Sequence, residues 1–368
     1  MTRIPITGIG VIAPGAIGVE AFRALLAGGR TAVETIDRFD TAGLRAHKAA
    51  LVRDFKPRDF IPVMKMRRMN ALSRLGVSAA KLAIEDCGAT PGANTGVAIG
   101  TAFGPVQTSV EYMQEYVAKG ASLAPPQLFA ESVANAPGSH IAIEWNLRGF
   151  NVTITQRESS ALAAAMYAAT QLAKGSVDAA LIGGVEEVNE MLFSVLDRIG
   201  ALAHTEESLD EEARPFAPDR NGFAIGEGGA VLIAGAGVRK PYGWLAGFGI
   251  GRDTTAPISD WGSDAASVIR AMHAALDDAG LAAVDAIYAS ANGSRRGDAL
   301  EQRALETAFA NVPVVTTKQI FGEYAAGGAL QLIAALLAVD EGRFDSVLVN
   351  SLSAGGGIVC AAVTREGA

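Results

Sequence analysis

The chain has little of what marks a disulfide module, a membrane protein or a nucleic-acid binder. Two cysteines in 368 residues, Cys87 and Cys360, cannot build a disulfide framework, so a reducing, cytoplasmic setting is expected. Lys and Arg total 31 against 39 Asp and Glu, which leaves no excess of positive charge to follow a phosphate backbone. The longest charge-free apolar stretch, between Glu323 and Asp340, falls short of the ~18 residues that suggest a membrane span. No Cys-x-x-Cys or His-Glu-x-x-His spacing occurs, so neither a metal nor a cofactor is expected. GIGVIAPG and GFGIGRD lack the Gly-x-Gly-x-x-Gly spacing of a dinucleotide cradle. Aromatics make up only 6% of residues, whereas apolar residues reach 49% with 42 glycines. That is the profile of an Ala- and Gly-rich globular protein with core enough for two units.

The N-terminus, MTRIPITGIGVIAPGAIG, reads as a strand over residues 4–7 running into a Gly-rich loop rather than as an export signal. Farther on the chain nearly repeats itself. Residues 160–184 read as a helix, a Gly stop, an Asp-led turn and an apolar strand, and residues 328–351 give the same order. Gly175, Asp178 and Leu181 recur as Gly342, Asp345 and Leu348. Upstream, Asp86 and Gly88 at the end of one helical pattern recur as Asp278 and Gly280 at the end of another. Each copy therefore holds helix, strand, connection, strand, helix, strand, which suits a mostly parallel sheet with helices on its faces. Chemistry is expected at the junctions NVTITQRESS and VVTTKQIFGEYAAGG, where strands feed helix N-termini. The long stretch 104–150 reads as an insertion serving an interface or a binding wall.

Six motifs fall in one family order: ITGIGVIAPGAIG, DFIPVMKMRRMNALSRLGVSAAKLAIEDCG, ESVANAPGSHIAIEWNLRGFNVTI, ARPFAPDRNGFAIGEGGAVLI, TTKQIFGE and VNSLSAGGGIV. Along nearly its whole length the chain resembles the β-ketoacyl-carrier-protein synthases, the ketosynthases of the thiolase superfamily. The resemblance implies an α/β fold of five layers, αβαβα, in two duplicated halves over residues 1–245 and 246–368, assembled as a dimer. An active ketosynthase uses a Cys nucleophile at a helix N-terminus and two His residues. By this resemblance Glu158 stands at the nucleophile position, Ser290 at the first His and Glu323 at the second, while Lys318 is retained. The gating turn of the family becomes residues 350–356, with Leu352 and Ala354 in place of aromatics. Glu158 and Glu323 read either as first-turn helix carboxylates that close a vacated site or as an acid/base pair. Cys87 and Cys360 read as buried small hydrophobes, and His47, His140, His204 and His273 as lying outside the junctions.

A relative lacking these residues resembles the chain length factors of type II polyketide and aryl polyene systems. Those are non-catalytic subunits that pair with an active ketosynthase and shape its acyl tunnel. The implied partners are that ketosynthase, as a heterodimer, and an acyl carrier protein, with no nucleic acid and no membrane. Rival readings are a decarboxylase of malonyl-carrier protein and a homodimeric acyl-binding scaffold. The strand 150–155, with Val152 and Ile154, matches the family's interface strand. On the helical pattern QTSVEYMQEYVAKG, Val110, Met113 and Val117 fall on one stripe and Tyr112 and Tyr116 form an i, i+4 pair. Tyr112, Met113 and Tyr116 are the candidates for the tunnel floor, with the loop 121–135 next in line. The basic run with Lys65, Arg67 and Arg68 is a candidate docking patch for the acidic carrier protein.

Overall fold

The computed structural model describes residues 2–206, 210–235 and 237–367. One path of paired strands crosses the molecule: Val314–Val315, Ala286–Tyr288, Ser346–Leu352, Gly357–Thr364, Gly243–Arg252, Ile4–Ala13, Gly228–Gly235, Ala179–Glu186, Thr95–Gly100 and Asn151–Ile154. Its two halves are copies. In each, the outer three strands are parallel and the inner two join antiparallel. They meet where Ile4, Pro5 and Ile6 pair with Leu245, Trp244 and Gly243. The expected boundary at 245 thus falls inside the strand Gly243–Arg252.

Helices fill three further layers. The helices Ser160–Ala173 and Ala329–Asp340 are apolar on nearly every side, so they can be satisfied only at the centre, between the two sheet halves. Their alanines and leucines share one core with Ile9, Leu232, Val349 and Ala361. Outside the first sheet half lies Ala71–Cys87, packed with Val97, Leu181 and Val231. Outside the second lie Ala265–Ala279 and Arg295–Ala308, packed with Ile287, Leu348 and Cys360. This is the five-layered, duplicated α/β arrangement that the sequence implies.

The repeat seen in the sequence has a physical basis in each copy. Gly88 and Gly280 both end their helices in the left-handed conformation, at φ 74° and 67°, where a Cβ is costly. Two residues earlier, Asp86 accepts the N–H of Ile9 at 2.8 Å and Asp278 accepts that of Phe248 at 2.9 Å, tying each outer helix to its sheet.

The first strand corrects one expectation. Ile4–Ala13 is continuous, so Gly8 and Gly10 lie in a strand rather than a loop. Their role is contact distance: a Cβ at Gly10 would stand 1.9 Å from the Ala79 carbonyl oxygen, and one at Gly249 in the other half 1.9 Å from that of Ala271. Both glycines let a helix lie directly on a strand. The stretch 104–150 holds three helices, Val106–Lys119, Pro126–Glu131 and Ala136–Glu144. The region 121–135 is therefore largely helical, not a loop. Among the described residues no helix is long and apolar enough to cross a membrane.

Candidate functional site at the junction of the two halves

The strand Asn151–Ile154 ends one residue before a tight corner. Gln156 bends away from the strand at φ −131° and ψ 42°, Arg157 takes a left-handed φ of 48°, and a single turn Arg157–Ser159 opens into the helix Ser160–Ala173. A left-handed non-glycine residue costs about 1–2 kcal/mol, and the corner is held by its serines. Ser160 Oγ accepts the Gln156 N–H at 2.8 Å, Ser159 Oγ lies 2.9 Å from both the Ser351 carbonyl oxygen and Ser353 Oγ, and Ser351 Oγ donates to the Glu158 carbonyl at 2.8 Å. The corner of one half is thus hooked to the turn 350–356 of the other, and the Glu158 side chain is aimed inward, 2% exposed.

Its carboxylate accepts the hydroxyl of Tyr324 at 2.7 Å on Oε1 and the Ala354 N–H at 3.2 Å on Oε2. Burial above all, then repulsion from Glu323, pushes the Glu158 carboxyl up to about 7. Glu323 lies in the same buried cluster. Lys318 Nζ donates to it at 2.6 Å, Asn292 Nδ2 at 2.7 Å and the Tyr324 N–H at 2.9 Å. Lys318 and Glu323 are 3% and 1% exposed at the side chain, so each is the other's necessary compensation. Ser290 sits beside them, receiving the Leu352 N–H on Oγ at 2.9 Å and giving its own N–H to Glu301 at 2.9 Å.

The structure brings Glu158, Glu323, Lys318, Ser290, Leu352 and Ala354 into one junction. It corrects one detail. Glu323 is not in the first turn of a helix: it follows the short helix Lys318–Phe321, and its backbone bonds to Ala224 and Gly226 at 2.7 Å. Three further residues belong to the junction: Asn292, Glu301 and above all Tyr324. Tyr324 is left-handed at φ 65° and 4% exposed, its ring 4.8 Å from that of Phe103 and 5.7 Å from that of Phe223. The ring occupies space in front of Glu158. The void beside Ser290, Asn292 and Glu301 is only about 10 Å³, room for about one water. Chemically, the junction offers a buried carboxyl poised near neutrality and an ion-paired carboxylate, and among the described residues no thiol or imidazole hydrogen-bonds to either.

The cysteines and histidines lie elsewhere. Burial pushes the Cys360 thiol up, and Cys87 packs under the first strand. His140 pairs with Glu131 at 2.8 Å, and the ring of His273 stacks on Phe309. His204 is closer than expected: it lines a cavity of about 430 Å³ with Arg45, Arg295 and Arg296, and this cavity shares Trp261 and Ser294 with the void at Ser290.

The other candidates separate into distinct surfaces. Val110, Met113 and Val117 of the helix Val106–Lys119 line an apolar groove of about 690 Å³ together with Met191. Tyr112 and Tyr116 do not; Tyr112 turns to the other side, its ring 5.5 Å from Phe129 and 6.3 Å from Tyr116. Val152 and Ile154 are also corrected in detail. Their side chains pack on the central core, whereas Asn151 and Thr153 carry the strand's open edge. Lys65, Arg67 and Arg68 are exposed, with Lys65 paired to Glu144 at 2.8 Å.

Comparison with known proteins agrees with this architecture. The family model "Beta-ketoacyl synthase, N-terminal domain" matches residues 1–236, and "Beta-ketoacyl synthase, C-terminal domain" matches residues 242–348. The chain is 29% identical to the 3-oxoacyl-[acyl-carrier-protein] synthase 2 of Vibrio cholerae over 92% of this chain and 86% of that one. It is 31% identical to the tetracenomycin polyketide synthase ketoacyl synthase alpha subunit of Streptomyces glaucescens, over 92% and 85%. Among solved structures, the ishigamide ketosynthase/chain length factor superposes with a TM-score of 0.89 at 26% identity, covering all of both chains. A beta-ketoacyl synthase from Burkholderia phymatum gives 0.89 at 24% identity, again over all of both, and supports the fold. With both domain models matched in order across the two sheet halves whose junction holds Glu158 and Glu323, the chain belongs to the beta-ketoacyl synthase family.

Proposed function

We propose that this chain is a non-catalytic, ketosynthase-like subunit of the chain length factor type, which pairs with an active ketosynthase and shapes the tunnel that holds the growing acyl chain. The observation that carries this reading is the Glu158 carboxylate itself. It occupies the position where the family resemblance calls for a thiolate, and it takes both the Tyr324 hydroxyl and the Ala354 N–H as its own hydrogen-bond donors. A carboxylate is a poor acceptor for a thioester acyl group, and a backbone N–H already bound to it is not free to stabilise an oxyanion. Ser290 and Glu323, spent on Leu352 and Lys318, offer no imidazole to assist decarboxylation.

The partner reading rests on two surfaces. The strand Asn151–Ile154 leaves an open sheet edge, which is a liability unless another chain covers it. Separately, the groove along Val110, Met113 and Val117 is apolar. The structural relative described as a ketosynthase/chain length factor lends the pairing its analogy. An acyl carrier protein is the implied client of the assembly, with Arg67 and Arg68 as its docking charges on this chain.

Co-expression with an active ketosynthase of the same source, followed by sedimentation, tests the proposal. A 1:1 heterodimer supports it. A self-sufficient homodimer supports the scaffold reading instead, and release of carbon dioxide from malonyl-carrier protein by the lone chain supports the decarboxylase.

A further inference from the structure

Away from the junction, a cavity of about 540 Å³ opens between the first turn of the helix Ala71–Cys87, the segment 52–57 and the start of the helix Glu190–Arg198. It shares no lining residue with the cavities at Ser290 and His204, and its size is that of a small-molecule site. Phe39, Phe55 and Leu75 give it apolar walls.

Its polar wall is incompletely answered. Arg38 and Glu227 neutralise each other at 2.7 Å, and Glu227 also accepts the N–H groups of Val52 and Val188. Arg74 and Asn189 have no such partners. Arg74 Nε and Asn189 Nδ2 are buried, and neither has a hydrogen-bond partner among the described residues. Asn189 is 7% exposed, and its Oδ1 is already used in capping the Leu192 N–H at 3.0 Å, so the amide nitrogen is the atom left over. Buried donors are almost always satisfied, so two left over on one wall call for an acceptor. Glu187, on the same wall, accepts the Gln107 N–H at 2.8 Å. Burial first, then Glu227 and Glu111, pushes its carboxyl up to about 7, which weakens it as a counter-ion for Arg74.

We propose that this cavity binds a small organic carboxylate with an apolar body, its oxygens taken by Arg74 and Asn189 Nδ2 and its hydrocarbon or ring laid against Phe39, Phe55 and Leu75. A planar carboxylate matches a guanidinium edge and supplies the acceptors that both orphan donors lack.

Calorimetric titration of the full chain with benzoate and with hexanoate tests this, alongside benzyl alcohol and hexanol as uncharged analogues. Saturable 1:1 binding of at least one acid is expected, with each alcohol at least tenfold weaker than its acid. Arg74→Gln and Asn189→Asp should each weaken the acid at least tenfold. The Asp variant keeps an oxygen to cap Leu192 but replaces the donor with a charged acceptor. The neutral Asn189→Ser also caps the helix and lacks the amide donor, so it separates loss of the donor from added charge and decides the matter if Arg74→Gln fails to fold. Arg296→Gln, in the separate cavity, should leave the affinity unchanged. Absence of saturable binding, equal binding of the alcohols, or affinity that follows Arg296 rather than Arg74 and Asn189 would overturn the assignment.

Discussion

Glu158 owes its raised proton affinity to burial and to Glu323, and that makes it a measurable liability at high pH. A carboxyl held near 7 against an ordinary value of 4.5 binds its proton more tightly in the native state than in the unfolded one. The native chain therefore carries more protons between about pH 4.5 and 7, and stability falls as pH rises through that window. Glu301, also pushed up to about 7 by burial, acts in the same direction. Denaturant titrations from pH 5 to 8 should show this decline, and Glu158→Gln should make it shallower. Tyr324→Phe, which removes a donor from a buried carboxylate, should cost about 1–3 kcal/mol, more at pH 8 than at pH 5; an unchanged midpoint at both would contradict the bond. Glu158, Ser290, Glu323 and Lys318 were legible in the sequence because each sits inside a motif with a fixed position. Tyr324 was not, because its meaning depends on a left-handed backbone that swings its ring across to Glu158, and neighbouring letters do not announce that torsion.

The edge strand and the insertion helix each present two faces, and function depends on which one meets a partner. In the strand Asn151–Ile154, the carbonyls of Phe150 and Ile154 bond inward to Val97 and Thr101, so the backbone groups of Asn151 and Thr153 point to the open edge. Thr153→Pro should remove an outward N–H and abolish co-purification with the ketosynthase while leaving the circular dichroism spectrum unchanged. Val152→Asp should instead lower the yield of folded protein, since it buries a charge against the central core. On the helix Val106–Lys119, Met113→Ala should lengthen the product of the co-expressed pair, read by mass spectrometry, because it enlarges the groove without touching any chemistry. Tyr112→Ala should leave length unchanged and loosen the packing on Phe129. Helical periodicity revealed both stripes, Val110–Met113–Val117 and Tyr112–Tyr116, but periodicity alone does not say which stripe is covered by the chain's own neighbouring helix.

At the scale of the molecule the governing fact is duplication with divergence. Gly175 and Gly342, Asp86 and Asp278, and the paired close approaches at Gly10 and Gly249 show that the two halves solve the same packing problem with the same residue types. That is why the fold was readable from self-similarity: helix stops and helix-to-sheet ties are local, and local rules leave a mark in sequence. The junction between the halves was less readable, because the contacts of Ser159 and Ser351 and of Glu158 and Tyr324 join residues more than 160 positions apart. Native mass spectrometry of the chain co-expressed with its ketosynthase, after incubation with an acyl-loaded carrier protein, tests the central claim most directly. The account predicts a 1:1 complex in which the acyl group is carried only by the ketosynthase chain; an acyl adduct on this chain, at Glu158 or at any other residue, would contradict it.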